Sequence, residues 1–162
     1  NHTDMQEIVE HYGINYEYIP INKKNKTSKE KQLHSLIQKY KIDLIVLARY
    51  MQVLSPSLSK KLKGKIINIH HSFLPSFKGA RPYHQAYIKG VKIIGATAHY
   101  VTDKLDEGQI IEQDVGRVDH TKNLEDFVSM GRDIENVVLM RAIKWHIQHR
   151  IIINKNSTVV FN

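Results

Sequence analysis

The chain has 162 residues, of which 41% are apolar, 24 are basic and 16 are acidic, so its formal net charge is +8. This length suits one domain, and the composition is globular rather than disordered. The absence of cysteine excludes disulfides, Cys-ligated zinc and thiol catalysis within these residues, and it fits a reducing, cytoplasmic setting. No segment approaches the roughly 20 consecutive apolar residues that span a bilayer, so we expect no membrane segment.

The first half of the chain alternates predicted helices and strands. Helices are predicted over 4–12 with Thr3 as cap, from Ser28 as a second cap, and over 57–63, and strands are predicted over 14–19, 44–48 and 65–69. The short apolar run at 44–48 is typical of a buried parallel strand. Alternation of this kind predicts an open, parallel α/β sheet.

The second half contains a loop, two strands and a long helix. The loop covers 70–81, a helix 82–89, strands 92–102 and 109–118, a helix Asn123 to about 149, and a hairpin 150–153 with 158–161. Gly131 falls inside the long helix, where it either permits close packing or divides the helix in two. We therefore predict one α/β domain over 1–162, with an open, mostly parallel sheet flanked by helices and ending in a long helix and a short hairpin.

Two polar residues end the strand predicted over 65–69. Asn68 and His70 are two apart, so their side chains point to the same face, near the carboxyl end where open α/β sheets bind ligands. An amide can donate a hydrogen bond to an oxyanion, and an imidazole can donate another or move a proton near neutral pH. Taken alone, such a pair is also common among purely structural residues.

An acidic turn follows the strand predicted over 92–102. If this strand neighbours the earlier one, Asp103 and Asp106 come to the same sheet edge as His70. A carboxylate there would orient the imidazole or take a proton from water. Taken alone, Asp-Glu-Gly at 106–108 is a commonplace turn.

Several blocks of sequence resemble the folate-dependent formyltransferase family. Residues 68–80 match its central motif, and the match keeps family order and spacing through 95–101, 103–108, Ile110-Ile111 and Gln113, with 47–55 upstream. By this resemblance Asn68, His70 and Asp106 take the catalytic places. The folate contacts that it implies are Met51, Gln52, Val53, Leu54, Val101, Thr102, Asp103, Lys104 and Leu105.

Within the family the chain is most similar to the deformylase branch, because His70-His71-Ser72 replaces the His-Pro-Ser that is typical of transferases. The resemblance implies hydrolysis of 10-formyltetrahydrofolate to formate, which supplies purine biosynthesis. It implies no permanently bound cofactor, no metal and a homo-oligomer. Relative to the family, the first strand–helix unit of this domain and an N-terminal regulatory (ACT) domain are expected to be missing from the chain.

Lysines cluster at 23–31 and again at 60–65. Their positive charge is either that of a solvated lysine-rich surface, which is the commoner case, or a field that attracts an anionic partner such as the glutamate tail of folate. Two other functions stay open: a glycinamide ribonucleotide formyltransferase of the same family, and a non-catalytic basic domain that binds nucleic acid. No aromatic or glycine pattern of a nucleic-acid module accompanies the lysines, so we expect none as a partner.

Overall fold

The computed structural model describes residues 3–74 and 81–161, which form two compact units, Asn1–Asp43 and Leu44–Asn162. The first unit contains helices α1 (Gln6–His11) and α2 (Lys26–Lys39). The strand predicted over 14–19 is wrong, because no described strand pairs with this segment despite its alternating pattern.

Both predicted caps in this unit are also wrong. Thr3 makes no side-chain cap, and α1 begins only after Met5. The side chain of Asn22 accepts hydrogen bonds from the backbone of Lys24 and Asn25, which closes a turn ahead of Ser28. Helix α2 therefore starts at Lys26, and Ser28 lies inside it.

Among its described residues, the second unit contains a four-stranded sheet, three helices and a terminal hairpin. In chain order its elements are β1 (Ile45–Leu47), α3 (Pro56–Lys61), β2 (Ile66–His70), α4 (Pro82–Ile88), β3 (Ile93–Tyr100), β4 (Ile110–Arg117), α5 (Leu124–Ile147), β5 (Ile151–Asn154) and β6 (Ser157–Val160). The predicted α/β fold with a long helix and a short hairpin is confirmed. Within the described ranges no helix is long and apolar enough to cross a membrane.

The described four-stranded sheet has the order β1-β2-β3-β4 and is mixed, whereas the sequence predicted mostly parallel strands. β1 runs parallel to β2, but β2–β3 and β3–β4 are antiparallel. The antiparallel pairing of β3 with β4 follows from their short connection, which is a loop. β2 and β3 are antiparallel although helix α4 lies between them in the chain. β1 lies at one edge, so its middle residue Val46 is 36% exposed instead of buried.

One face of β3 packs in the apolar core, and the other face carries polar side chains. Alternate side chains of β2 and β3 form the main core with α5, namely Ile67, Ala96, Ala98, Tyr100, Val138 and Ala142. Thr97 and His99 point to the opposite face, and Asn68 and His70 are their direct partners across the β2–β3 pair. Between Ala98 and His99 the register with β4 shifts by one residue. The antiparallel pairing of β2 with β3 thus brings polar side chains from two strands together.

Local signals fix the helix ends and the packing of α5. Ser55 accepts a hydrogen bond from the backbone of Leu58 and caps α3, and Asn123 forms a capping box at the start of α5. Gly131 does not divide α5: a Cβ at this position would lie 2.3 Å or less from two ring carbons of Tyr83. The close-packing alternative is therefore the one that the structure adopts.

Candidate active site

The predicted meeting of an amide, an imidazole and a carboxylate occurs at one end of β2 and β3. His70 Nε2 lies 3.3 Å from Asp106 Oδ2. His99 Nε2 lies 3.7 Å from Asp106 Oδ1 and 3.2 Å from Asn68 Nδ2. Asp106 is therefore the point at which the side chains of the two strands converge.

The backbone conformation of the loop after β3 directs the Asp106 carboxylate towards His70 and His99. Asp106 has a φ of +56°, in the left-handed region that only glycine, asparagine and aspartate enter readily. Two residues later the chain approaches β3 closely, because a Cβ on Gly108 would lie 1.6 Å from the carbonyl oxygen of Tyr100. A glycine is required there, and the loop is held against the strand that carries His99.

His99 belongs to this site, although it was not among the predicted site residues. Its Nδ1 lies 2.8 Å from the backbone oxygen of Tyr100, which identifies Nδ1 as the protonated nitrogen of the neutral ring. Nε2 then accepts a hydrogen bond from the Asn68 side-chain amide. The signal that could have found His99 is its place across from Asn68, and this place depends on a register that the sequence alone does not reveal.

Ser72 is a second residue that sequence reasoning missed. Its hydroxyl lies 3.0 Å from His70 Nδ1, so the imidazole has a partner on each ring nitrogen, Ser72 on one side and Asp106 on the other. Residues 75–80 of the loop predicted over 70–81 lie outside the described residues.

Burial determines the charge of both imidazoles. His70 and His99 are 8% and 2% exposed. Loss of hydration lowers the pKa of His70 below its ordinary value, against the attraction of the Asp106 carboxylate. Burial lowers the pKa of His99 in the same way, opposed by its hydrogen bond to Tyr100 and by Asp106. Near neutral pH both rings are therefore neutral, which suits groups that gain and return a proton.

A cavity opens beside the Asn68, His99 and Asp106 side chains. Its lining residues are Leu47, Tyr50, Gln52, Val53, Leu54, Asn68, His99, Val101, Thr102, Lys104, Leu105 and Asp106. All folate contacts implied by the resemblance belong to this lining except Met51, whose side chain is 71% exposed, and Asp103, which pairs with Lys60 at 3.6 Å. The two segments 51–54 and 101–105 therefore contribute to one cavity that ends at the polar cluster.

Within the described ranges, no group of three or more His, Asp or Glu side chains is arranged to hold a metal ion. The polar cluster instead offers donors and a proton acceptor: an amide N–H, two imidazoles and a carboxylate. Such a set can stabilise an oxyanion and remove a proton from water beside a bound carbonyl.

Known proteins with similar sequences and structures are named as enzymes that act on formyl groups. The chain is 53% identical over 161 residues to formyltetrahydrofolate deformylase of Synechocystis, covering 99% of the chain and 56% of that relative. It superimposes with a TM-score of 0.95 on the crystal structure of a formyltetrahydrofolate deformylase from Pseudomonas syringae, at 49% identity over 100% of the chain and 54% of that protein. A phosphoribosylglycinamide formyltransferase from Anaplasma phagocytophilum gives a TM-score of 0.86 at 31% identity, covering 97% of the chain and 76% of that protein.

The chain thus spans about half the length of the curated relatives it matches. The formyl transferase family model matches residues 2–143, which include every residue of the polar cluster and of the cavity lining. With this match and the common fold, the chain belongs to the formyl transferase family.

Proposed function

We propose that this protein hydrolyses 10-formyltetrahydrofolate to formate and tetrahydrofolate. The observation that carries the proposal is the convergence of Asn68, His70 and Asp106 beside the cavity lined by both segments assigned to folate. The deformylase names of relatives about 50% identical to the chain support hydrolysis as the reaction.

In the proposed reaction, water adds to the formyl carbon while its proton passes to Asp106, directly or through His70. The formyl oxygen becomes an oxyanion, which the Asn68 amide and His70 stabilise by hydrogen bonds. The bond between carbon and N10 then breaks, and N10 takes a proton from the His70–Asp106 pair. Tetrahydrofolate and formic acid leave, the formic acid releases its proton to solvent as formate, and the side chains return to their starting protonation states.

The cavity has suitable chemistry for the pterin of the folate. Backbone N–H and C=O groups of 51–54 and 101–105 would pair with the edge of the ring, and Val53, Leu54 and Leu105 would contact its faces. Neither a permanently bound cofactor nor a metal enters this proposal, since the folate is the substrate. A supply of formate for purine biosynthesis, a cytoplasmic location and a homo-oligomer are parts of the same proposal.

One observation favours a second candidate, transfer of the formyl group to glycinamide ribonucleotide. The Anaplasma protein named for that reaction is 31% identical and has the same fold over most of its length. A transferase passes the formyl group to an amine, whereas a hydrolase passes it to water. The two candidates therefore differ in whether formate appears without an amine acceptor.

The test is an assay of the full-length protein with 10-formyltetrahydrofolate, with and without glycinamide ribonucleotide. Formate and tetrahydrofolate are quantified by enzymatic coupling and by chromatography. We expect stoichiometric formate in the absence of the ribonucleotide, and no formylated ribonucleotide in its presence. Product formation only when the ribonucleotide is added would reject the hydrolase in favour of the transferase.

A further inference from the structure

A buried serine contacts the ring nitrogen of His70 that faces away from Asp106. The Ser72 side-chain oxygen lies 3.0 Å from His70 Nδ1, and Ser72 is 5% exposed. A hydroxyl can both donate and accept a hydrogen bond, whereas a backbone amide can only donate and a carbonyl can only accept. Ser72 is therefore a partner that suits either protonation state of the imidazole.

A second set of hydrogen bonds holds the backbone around Ser72. The Thr97 hydroxyl donates to the Ser72 carbonyl at 2.9 Å and accepts from the Leu74 backbone N–H at 3.1 Å. The Gln113 side-chain amide donates to the same hydroxyl at 2.9 Å and lies 3.3 Å from the Leu74 carbonyl. Because Thr97 is fully buried on β3, these bonds tie the segment that follows His70 to two strands of the sheet.

We propose that Ser72 is a positioning residue that keeps a hydrogen bond to His70 before and after proton transfer, and that Thr97 and Gln113 hold Ser72 in place for this purpose. The inference rests on the proposed hydrolysis, in which His70 gains and loses a proton during each turnover.

Nδ1 of His70 keeps the same hydrogen-bond partner in both protonation states of the ring. The proton that His70 gains and loses during turnover moves at Nε2, the nitrogen that faces Asp106. Nδ1 faces the buried Ser72 hydroxyl, so Nδ1 keeps its proton and donates to the Ser72 oxygen both when the ring is neutral and when it is protonated. No heavy atom has to move between the two states. Among the described residues, the titratable groups that face His70 are Asp106, His99 and His71.

Removal of the Ser72 hydroxyl should destabilise protonated and neutral His70 by different amounts. A hydrogen bond from a cationic N–H is about twice as strong as one between neutral groups, so its loss destabilises protonated His70 more than neutral His70. Ser72→Ala should therefore shift the His70 limb of the pH profile of kcat/KM to lower pH. We expect kcat to fall about tenfold or more while KM stays within about twofold, because a single hydrogen bond to a charged group is lost.

Thr97 provides an independent test with its own rescue. Thr97→Val removes the hydroxyl that holds Ser72, and it should shift the profile in the same direction as Ser72→Ala. Thr97→Ser keeps the hydroxyl and should restore the wild-type limb. The matched control is Ser59→Ala, because Ser59 is also buried but its hydroxyl donates only to backbone carbonyls of Ser55 and Pro56. This control should leave the profile unchanged.

The experiment starts with formate release by the wild-type full-length protein, so that failure of the proposed function is recognised first. Nitrogen-15 NMR of the histidine rings then follows the titration of His70 without substrate. A lower titration midpoint in Ser72→Ala and Thr97→Val, with rescue in Thr97→Ser, supports the proposal. An unchanged midpoint, or a loss of activity that is equal at every pH, overturns it. If Ser72→Ala does not fold, the His70 titration midpoints of Thr97→Val and Thr97→Ser test the proposal in its place.

Discussion

The Asn68 side-chain nitrogen lies 3.2 Å from His99 Nε2, and the two residues are direct partners across β2 and β3. The other ring nitrogen of His99 is committed to the Tyr100 carbonyl. His99 is thereby fixed as an acceptor, and it selects the rotamer of Asn68 whose NH₂ group, rather than its oxygen, lies at the polar cluster.

His99→Phe should lower kcat without a comparable change in KM. Phenylalanine keeps a planar ring but removes the acceptor that orients the Asn68 amide, so the oxyanion loses a preorganised donor. Loss of one such donor costs about 3 kcal/mol of barrier, or roughly 100-fold in rate. Steady-state kinetics of formate release measure the effect. A variant as fast as wild type would reject the role of His99.

Asp106→Asn should lose nearly all deformylation while folate binding is retained. Asparagine also enters the left-handed region readily, so the backbone at φ +56° is preserved while the proton acceptor is removed. Binding of tetrahydrofolate, measured by calorimetry, controls for the integrity of the cavity. Full activity of this variant would exclude the assigned role of Asp106.

Stability should decrease as the pH falls below 6.5, the ordinary histidine pKa. Burial lowers the pKa of His70 and His99 in the folded protein, so below 6.5 the unfolded chain binds protons that the folded chain does not. Each unit of difference in pKa corresponds to about 1.4 kcal/mol of unfolding free energy per group.

Urea titrations above and below pH 6.5 measure how steeply the free energy of unfolding changes with pH. His99→Phe should make the dependence shallower, and His120→Gln, which changes an exposed histidine, should leave it as in wild type. Equal slopes for wild type and His99→Phe would show that His99 does not contribute.

Polyglutamylated substrate should bind more tightly than monoglutamate at low salt. Lys104 lines the cavity, so positive charge is available there for the glutamate tail. Lys104→Gln should reduce this preference, and the preference should shrink as salt screens the exposed charges. Lys92→Gln is the control on an exposed turn that does not line the cavity. Equal affinity for both substrates at low salt would contradict the prediction.

Gly131→Ala should destabilise the fold, although alanine is intrinsically the better helix former by about 1 kcal/mol. The new methyl group would overlap the ring of Tyr83, which is buried and hydrogen-bonded to Glu135. Overpacking of this kind typically costs about 1–3 kcal/mol. Chemical unfolding measures the loss, and Tyr83→Leu combined with Gly131→Ala should recover part of it.

The sequence was sufficient to predict the elements that local signals define. Asn123 caps α5 as predicted, and the strand that carries His99 falls inside its predicted range of 92–102. The strand that carries Asn68 runs one residue past its predicted range of 65–69, to His70. The strand at 14–19 failed because alternation defines a strand only when a neighbouring strand supplies hydrogen bonds. The mixed sheet was missed because strand direction depends on connections between elements rather than on the pattern within one element.

The site could be predicted only in part for a related reason. The places of Asn68, His70 and Asp106 at strand ends make them candidates, and the family resemblance predicts them as the catalytic set. His99 and Ser72 act through partners that are distant in sequence or buried behind the reacting groups, and only the register and the packing reveal them. Met51 and Asp103 lie in segments that contribute to the cavity, but their side chains turn away from its lining.

The register shift between Ala98 and His99 has a consequence for evolution by insertion and deletion. Side chains of a strand alternate between faces, so gaining or losing one residue inside β3, before His99, exchanges the two sets. The alanines that lie under α5 would then take the place of the histidine, and the imidazole would enter the apolar layer. We therefore expect homologous chains to vary freely in the length of their surface turns while the spacing from Thr97 to Asp106 stays constant.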